Sequence, residues 1–187
     1  MRIIAGKFRG RTIVAPKGDV ARPTADRARE ALFNILAHRD GFSLEGARVI
    51  DLFAGSGALG LEAISRGAEL CLFVETDAAA RGAIRDNIEA LDLFGSTRIH
   101  RRSASSLGLR PAGVGPPFTL AFLDPPYHKD LAAPAMETLR RGEWLAERAI
   151  VVVEQAADEA PALVDGYVEI DRRLYGAAQI GVYLFGG

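Results

Sequence analysis

Between residues 47 and 154 the chain alternates short, almost wholly apolar runs with longer stretches in which apolar residues recur every three or four positions. The runs Arg48–Phe53, Leu70–Glu75, Thr97–Arg101, Phe118–Leu123 and Ala149–Glu154 have the length and continuity of parallel strands covered on both faces. Helical periodicity marks Ala58–Arg66, closed by Gly67, and Ala78–Leu91, where Ile84, Ile88 and Leu91 share a face. A third helix is expected over about Leu131–Leu145, with Trp144 buried near its end and Glu62, on the first, as a surface charge. Tyr167–Leu174 and Gln179–Phe185 read as two further strands, and the short link Tyr175-Gly176-Ala177-Ala178 makes them an antiparallel hairpin. Alternating strands and helices closed by a hairpin predict an α/β fold: a doubly wound, mostly parallel seven-stranded sheet.

Ahead of this core the pattern differs. Ile3-Ile4 and Thr12-Ile13-Val14 are short β-prone runs joined by Gly6-Lys7-Phe8-Arg9-Gly10-Arg11, a small basic hairpin. Pro16 and Gly18 break the chain. Thr24 is placed to cap a helix running to about His38, with Ala28, Leu32 and Ile35 on one face and Gly41 beyond its end. A chain of 187 residues, 49% hydrophobic, supports one domain: the hairpin and helix over 1–40 and the core over 47–187. Cys71 lies inside an apolar run and reads as a buried thiol; alone, it forms no internal disulfide. His38, His100 and His128 lack metal-ligand spacing, so no metal is expected. With neither a membrane-length apolar stretch nor a signal-peptide core, the expectation is a cytoplasmic protein, acting as a monomer. The net charge of −1 conceals an asymmetry: residues 1–24 carry six basic side chains against one acid, and residues 124–187 carry eleven acids against six bases. A basic end suits a polyanion approached from one side.

The candidate chemistry begins at the first strand–helix turn, where Gly55, Gly57 and Gly60 spell G-x-G-x-x-G. That spacing gives a tight turn, close backbone approach to a ligand and close helix–strand packing, and by itself equally suits a dinucleotide. Asp51, just before the glycines, shifts the balance, because a carboxylate there repels pyrophosphate and attracts a ligand bearing an ammonium group, such as S-adenosylmethionine. Glu75 ends the second strand twenty residues after Gly55, the place for a carboxylate that accepts hydrogen bonds from ribose hydroxyls. Phe53, Ala54, Ser56 and Thr76, beside these residues, complete the expected cofactor-binding turn.

The fourth strand runs into Asp124-Pro125-Pro126-Tyr127. Ligands of such sheets bind outside the carboxyl ends of the strands, so this turn belongs beside the glycines. Two prolines fix φ and leave carbonyl acceptors without amide donors. An exocyclic amine of a base has its lone pair delocalised into the ring. Acceptors from the Asp124 side chain and the Pro125 carbonyl can hold its N–H bonds so that the lone pair is freed, while Tyr127 stacks on an extracted base.

Asp51–Gly60, Glu75 and Asp124–Tyr127 together resemble the class I, Rossmann-like amino-methyltransferases. More specifically, the segment Arg22–Leu36 (Arg-Pro-Thr-Ala-Asp-Arg-Ala-Arg-Glu-Ala-Leu-Phe-Asn-Ile-Leu) and the Gly6–Arg11 hairpin resemble the bacterial 16S rRNA guanine-N2 methyltransferase family over nearly the whole chain. The resemblance implies S-adenosylmethionine as methyl donor, guanine N2 in 16S rRNA as acceptor, and a 30S ribosomal subunit or assembly intermediate as partner. It also implies that Arg22 and Thr24 reach over the cofactor pocket. Where such enzymes often carry Asp-Ala after the third strand, this chain has Ser103-Ala104, and Ser103 is the expected adenine contact. Lys7, Phe8, Arg9 and Arg11 then become an RNA-binding set, cations for phosphates and a ring for stacking. Alternatives are a DNA adenine or cytosine amino-methyltransferase, an NAD(P)-dependent oxidoreductase using the glycine turn, and a non-catalytic RNA-binding module.

Overall fold

The computed structural model describes residues 1–16 and 23–186, and the side chains of these except residues 23–25. Seven strands form one sheet: β1 Arg48–Leu52, β2 Leu70–Val74, β3 Thr97–His100, β4 Phe118–Leu123, β5 Leu145–Ala156, β6 Tyr167–Tyr175 and β7 Ala178–Phe185. Their order is β3-β2-β1-β4-β5-β7-β6, with parallel pairing up to β5 and β7 running antiparallel between β5 and β6. The order reverses between β1 and β4, and a crevice opens at that switch point beyond the strands' carboxyl ends.

Alternate residues of each strand feed two cores, as the two-residue period of a strand requires. Val49, Cys71, Phe73, Leu120, Phe122 and Ile150 face helices α1 Pro23–Ala37, α2 Ala58–Ser65 and α3 Ala78–Leu91. Ile50, Leu52, Leu72, Val74, Ala121 and Leu123 face α4 Ala132–Arg141, together with Leu107 and Trp144. Cys71 is fully buried with a free thiol, as its apolar setting predicts.

Several expectations change. The third core helix stops at Arg141, and β5 starts at Leu145, earlier than the apolar run suggested. A Cβ on Gly142 would lie 2.2 Å from the Gly108 carbonyl oxygen, and Glu143 is left-handed at φ 55°, so the chain reverses there. Trp144 is buried as expected but outside the helix, its indole N–H donating to Gly108 O at 2.8 Å and its ring stacked on Phe118. The first helix starts at Pro23, so Thr24 falls inside its first turn and not ahead of it; proline's fixed φ suits the opening position of a helix. Its buried face holds Phe33 and Leu36 with Leu32, while Ile35 is only half-buried.

The largest correction is Glu62. Expected on the surface, it is fully buried. Its carboxylate accepts from the backbone N–H groups of Ile4 and Ala5, at 2.8 and 3.0 Å, and from Arg66 Nε at 2.7 Å, with Arg29 Nε 3.8 Å away. The N-terminal segment forms one antiparallel bridge, Arg2 with Thr12, and cross-strand backbone bonds from Ile3 N to Arg11 O, Gly10 N to Ile3 O and Ile13 N to Met1 O, and helices add further partners. Ser65 Oγ accepts from Phe8 N and donates to Ala5 O, Ser65 O accepts from Lys7 N, and Asn87 pairs with both backbone groups of Val14. The backbone of Gly6 lies so close to Ser65 that a Cβ would sit 1.8 Å from its carbonyl oxygen.

Candidate active site

The β1–α2 turn is built as its glycines require. Phe53 leaves the strand at φ 59°, Gly55 and Gly57 follow at 56° and 79°, and Gly57 precedes the first helical residue. Positive φ is free for glycine but strained for a bulky aromatic, and such strain persists where the surroundings over-determine it. Gly60 allows close packing: a Cβ there would lie 2.4 Å from Cys71 Sγ and 2.5 Å from the Phe73 ring.

Asp51 sits under this turn. Strand register places Phe73 and Phe122 on either side of it, and its Oδ2 accepts from Gly60 N at 3.0 Å. Burial pushes its carboxyl up to about 8, the Gly60 bond opposes the rise, and the neighbouring Glu75 charge adds to it. Glu75 clamps the two strand ends together. Its Oε2 accepts from Gly55 N at 2.9 Å and its Oε1 from Asp77 N at 2.8 Å, leaving each oxygen a further lone pair toward the crevice. The guanidinium of Arg81, buried beneath, donates to the carbonyls of Glu75 and Thr76 and fixes this corner.

A cavity of about 690 Å³ opens at the switch point. Phe53, Gly55, Glu75 and Thr76 form one wall, Ser103 and Ala104 a second, and Asp124, Pro125, Pro126 and Tyr127 a third. The sequence-expected cofactor wall and the sequence-expected catalytic turn thus share one space. Asp51, Ala54, Ser56 and Gly57 stand behind the wall; Ser56 is buried, with its carbonyl held by Asn87. Arg22 and the Thr24 side chain lie outside the described residues. Sequence reasoning missed four lining residues, Val74, Arg102, Ser105 and Leu131. Arg102 is held by a 2.8 Å bond to Leu107 O, and Ser103 and Ser105 share a 3.0 Å hydroxyl contact.

Asp124 is exposed at the carboxyl end of β4, its N–H directed at Leu52 O at 3.4 Å. Tyr127, 37% exposed, donates from its hydroxyl to Glu154 Oε1 at 2.8 Å. Sequence reasoning also passed over Glu154. The signal was present, since it ends an apolar strand run just as Glu75 does.

The basic hairpin is elsewhere. Because β1 and β2 are parallel, α2 runs back from the crevice to the opposite edge of the sheet, about 12 Å over its eight residues. The hairpin tip docks on Ser65, the last of them. Lys7 and Arg9 are exposed there. Phe8 is half-buried against the core with the Lys7 ammonium 5.3 Å from its ring, and Arg11 donates to Ala90 O at the end of α3 at 2.6 Å. Among the described residues, no three His, Cys, Asp or Glu side chains come together as metal ligands, and no helix is long and apolar enough to cross a membrane.

A seven-stranded sheet of this order, with a glycine turn and an Asp-Pro-Pro-Tyr turn on one crevice, defines a class I, Rossmann-like methyltransferase. The family described as Conserved hypothetical protein 95 matches residues 1–184, and the chain belongs to it. It is 38% identical to the ribosomal RNA small subunit methyltransferase D of Escherichia coli K12 over 158 residues, which cover 84% of this chain and 76% of that protein. The Haemophilus influenzae protein of the same name is 33% identical over 184 residues, 98% of this chain and 93% of its own. Among solved structures, Escherichia coli yhhF superposes with a TM-score of 0.81 at 32% identity, covering 99% of this chain and 97% of its own.

Proposed function

We propose that this protein transfers the methyl group of S-adenosylmethionine to the exocyclic N2 of a guanine in 16S rRNA, within a 30S particle or its assembly intermediate. One observation carries the reading: the Asp124–Tyr127 turn and the Gly55–Glu75 wall line the same cavity. Its volume, about 690 Å³, is within the roughly 300–1,000 Å³ of sites that enclose a ligand of this size. The ribosomal substrate is supported by kinship with the small subunit rRNA methyltransferases D.

The donor set fits the cofactor. Glu75 offers carboxylate lone pairs to the ribose hydroxyls, Ser103 a hydroxyl to the adenine, and Phe53 a hydrophobic edge. S-adenosylmethionine supplies an electrophilic methyl on sulfur. Asp51 supports the turn from below through Gly60. Arg22 and Thr24 are proposed to close the pocket over the amino-acid end.

On the other wall, Tyr127 provides a platform for the flipped guanine. The Asp124 carboxylate and the Pro125 carbonyl accept from the N2 amine and hold it with its lone pair aimed at the methyl. A group held at the reacting distance needs no strongly shifted base, because orientation supplies much of the rate. The proton released from N2 passes through exposed Asp124 to water. Lys7 and Arg9 contact phosphates at the far edge of the sheet. It is proposed to act as a monomer, and a ribosomal particle as substrate supports the cytoplasm as its place.

The experiment is transfer of labelled methyl from S-adenosylmethionine to 30S particles from cells lacking the protein, with naked 16S rRNA and duplex DNA alongside. The expected product is N2-methylguanosine from the 30S particles. Label in DNA, or as methyladenine, overturns the substrate.

A further inference from the structure

We propose that Glu154 is a positioning residue that sets the Tyr127 ring as the platform for the base, an inference that rests on the function proposed above. Tyr127 follows two prolines that have no N–H to anchor the turn. Two residues soon after it, His128 and Asp130, are left-handed at φ 57° and 51° without being glycine. Such a segment holds one shape only where outside contacts fix it.

Those contacts come from the end of β5 and the loop after it. Tyr127 Oη donates to Glu154 Oε1 at 2.8 Å. His128 N donates to Glu159 Oε1 at 3.1 Å, and Glu159 Oε2 in turn accepts from Ala156 N at 2.8 Å. Of these acceptors only Glu154 stands within the sheet, its neighbour Val153 paired with Leu123 of β4 and its own register partner Ile180 on β7. It is therefore the rigid end of the latch. Burial holds the Glu154 carboxyl above the ordinary carboxylate range while the Tyr127 bond opposes that rise. In either protonation state an oxygen remains to accept from the tyrosine. The ring is fixed from its hydroxyl end, leaving its face on the cavity for the base.

The test is a double-mutant cycle. Glu154→Ala and Tyr127→Phe each remove the hydrogen bond but leave the aromatic ring, and each should lower kcat about tenfold. The KM for 30S particles and the affinity and stoichiometry of S-adenosylmethionine binding should hold. The double variant should lose no more than either single one, and Glu154→Gln, which retains an acceptor, should restore most of the rate. Additive losses in the double variant, no loss in Glu154→Ala, or a fall in cofactor-binding stoichiometry that matches the fall in kcat would overturn the proposal. A second readout does not depend on the substrate. Amide exchange at His128 should accelerate in Glu154→Ala while β4 and β5 keep their protection, and unchanged exchange rejects the latch. If the unaltered protein methylates no RNA, the proposed function fails and the exchange measurement alone decides the latch.

Discussion

At the scale of single residues, acids at strand ends do different work according to what surrounds them. Asp51, expected from the sequence to attract the ligand's ammonium group, is buried, has Phe73 and Phe122 as its register partners on the adjoining strands, and accepts from Gly60 N. Its carboxyl, raised to about 8 by burial, keeps its proton in the folded state at pH values where the unfolded chain has lost it. The folded state then binds more protons, so the Asp51 contribution to stability is lost as pH rises from about 4 to about 8 and is level above that. Asp51→Asn should remove this slope, so that urea midpoints of the two proteins converge toward the acid end of the range and the variant gains with rising pH. A gap independent of pH would show that the carboxyl does not titrate there. Gly60→Ala should cost about 2 kcal/mol, because the added methyl meets Cys71 and Phe73, packed in a sheet core that cannot give way; urea unfolding measures it. Asp124→Ala should lower kcat about 100-fold with cofactor affinity kept, since it removes an acceptor that acts on the reacting amine.

Elements are joined here by buried polar groups as much as by apolar packing. Glu62 binds the N-terminal segment to α2 and, through Arg29, to α1. Replacing it by alanine leaves two backbone N–H groups and the Arg66 Nε–H short of an acceptor and takes the nearby opposite charge from buried Arg29. The expected loss is about 3 kcal/mol, as for other buried ion pairs broken from one side. Chemical denaturation gives the value, and limited proteolysis should show the first cut within the N-terminal segment. A loss below about 1 kcal/mol would place the docking energy in Ile3 and Ile13, both buried.

For the whole molecule, the proposed methyl-transfer site and the proposed phosphate contacts lie at opposite edges of the sheet. The cavity opens at the carboxyl edge, and the hairpin tip with Lys7 and Arg9 rides on the opposite end of α2. An RNA that touches both must wrap the domain, which suits a folded particle better than a short oligonucleotide. Lys7→Ala with Arg9→Ala should weaken binding to 30S particles and reduce the salt slope by about 2, one unit per lost phosphate contact. Cofactor affinity, measured by calorimetry, should not change. Arg11 is bonded to Ala90 and Phe8 is packed on the core, so their replacement should lower stability along with RNA affinity. Equal loss of cofactor and RNA binding in the Lys7 and Arg9 variant would mean that the tip is structural.

The sequence by itself determined the sheet and the glycine and proline walls of the cavity. Continuous apolar runs can be satisfied only as covered parallel strands, and the glycine and proline turns carry their geometry in residue types that permit little else. Strand ends then bring Glu75, Gly55 and Asp124 together, because all parallel strands finish on one edge. What only the tertiary structure decided are the features that depend on residues far apart in the chain. Glu62 looks like any charge on a helix until Ile4 and Ala5 arrive from 57 or 58 residues away. Trp144 and Leu145 continue a helical pattern until Phe118 and Gly108 claim the indole and turn the chain. Glu154 closes an apolar run as Glu75 does, but its partner Tyr127 reaches it from the neighbouring turn, which the run itself does not show. A buried charge or a reversed helix end is stabilised by partners that local periodicity cannot record, so these were the places where the sequence ran out.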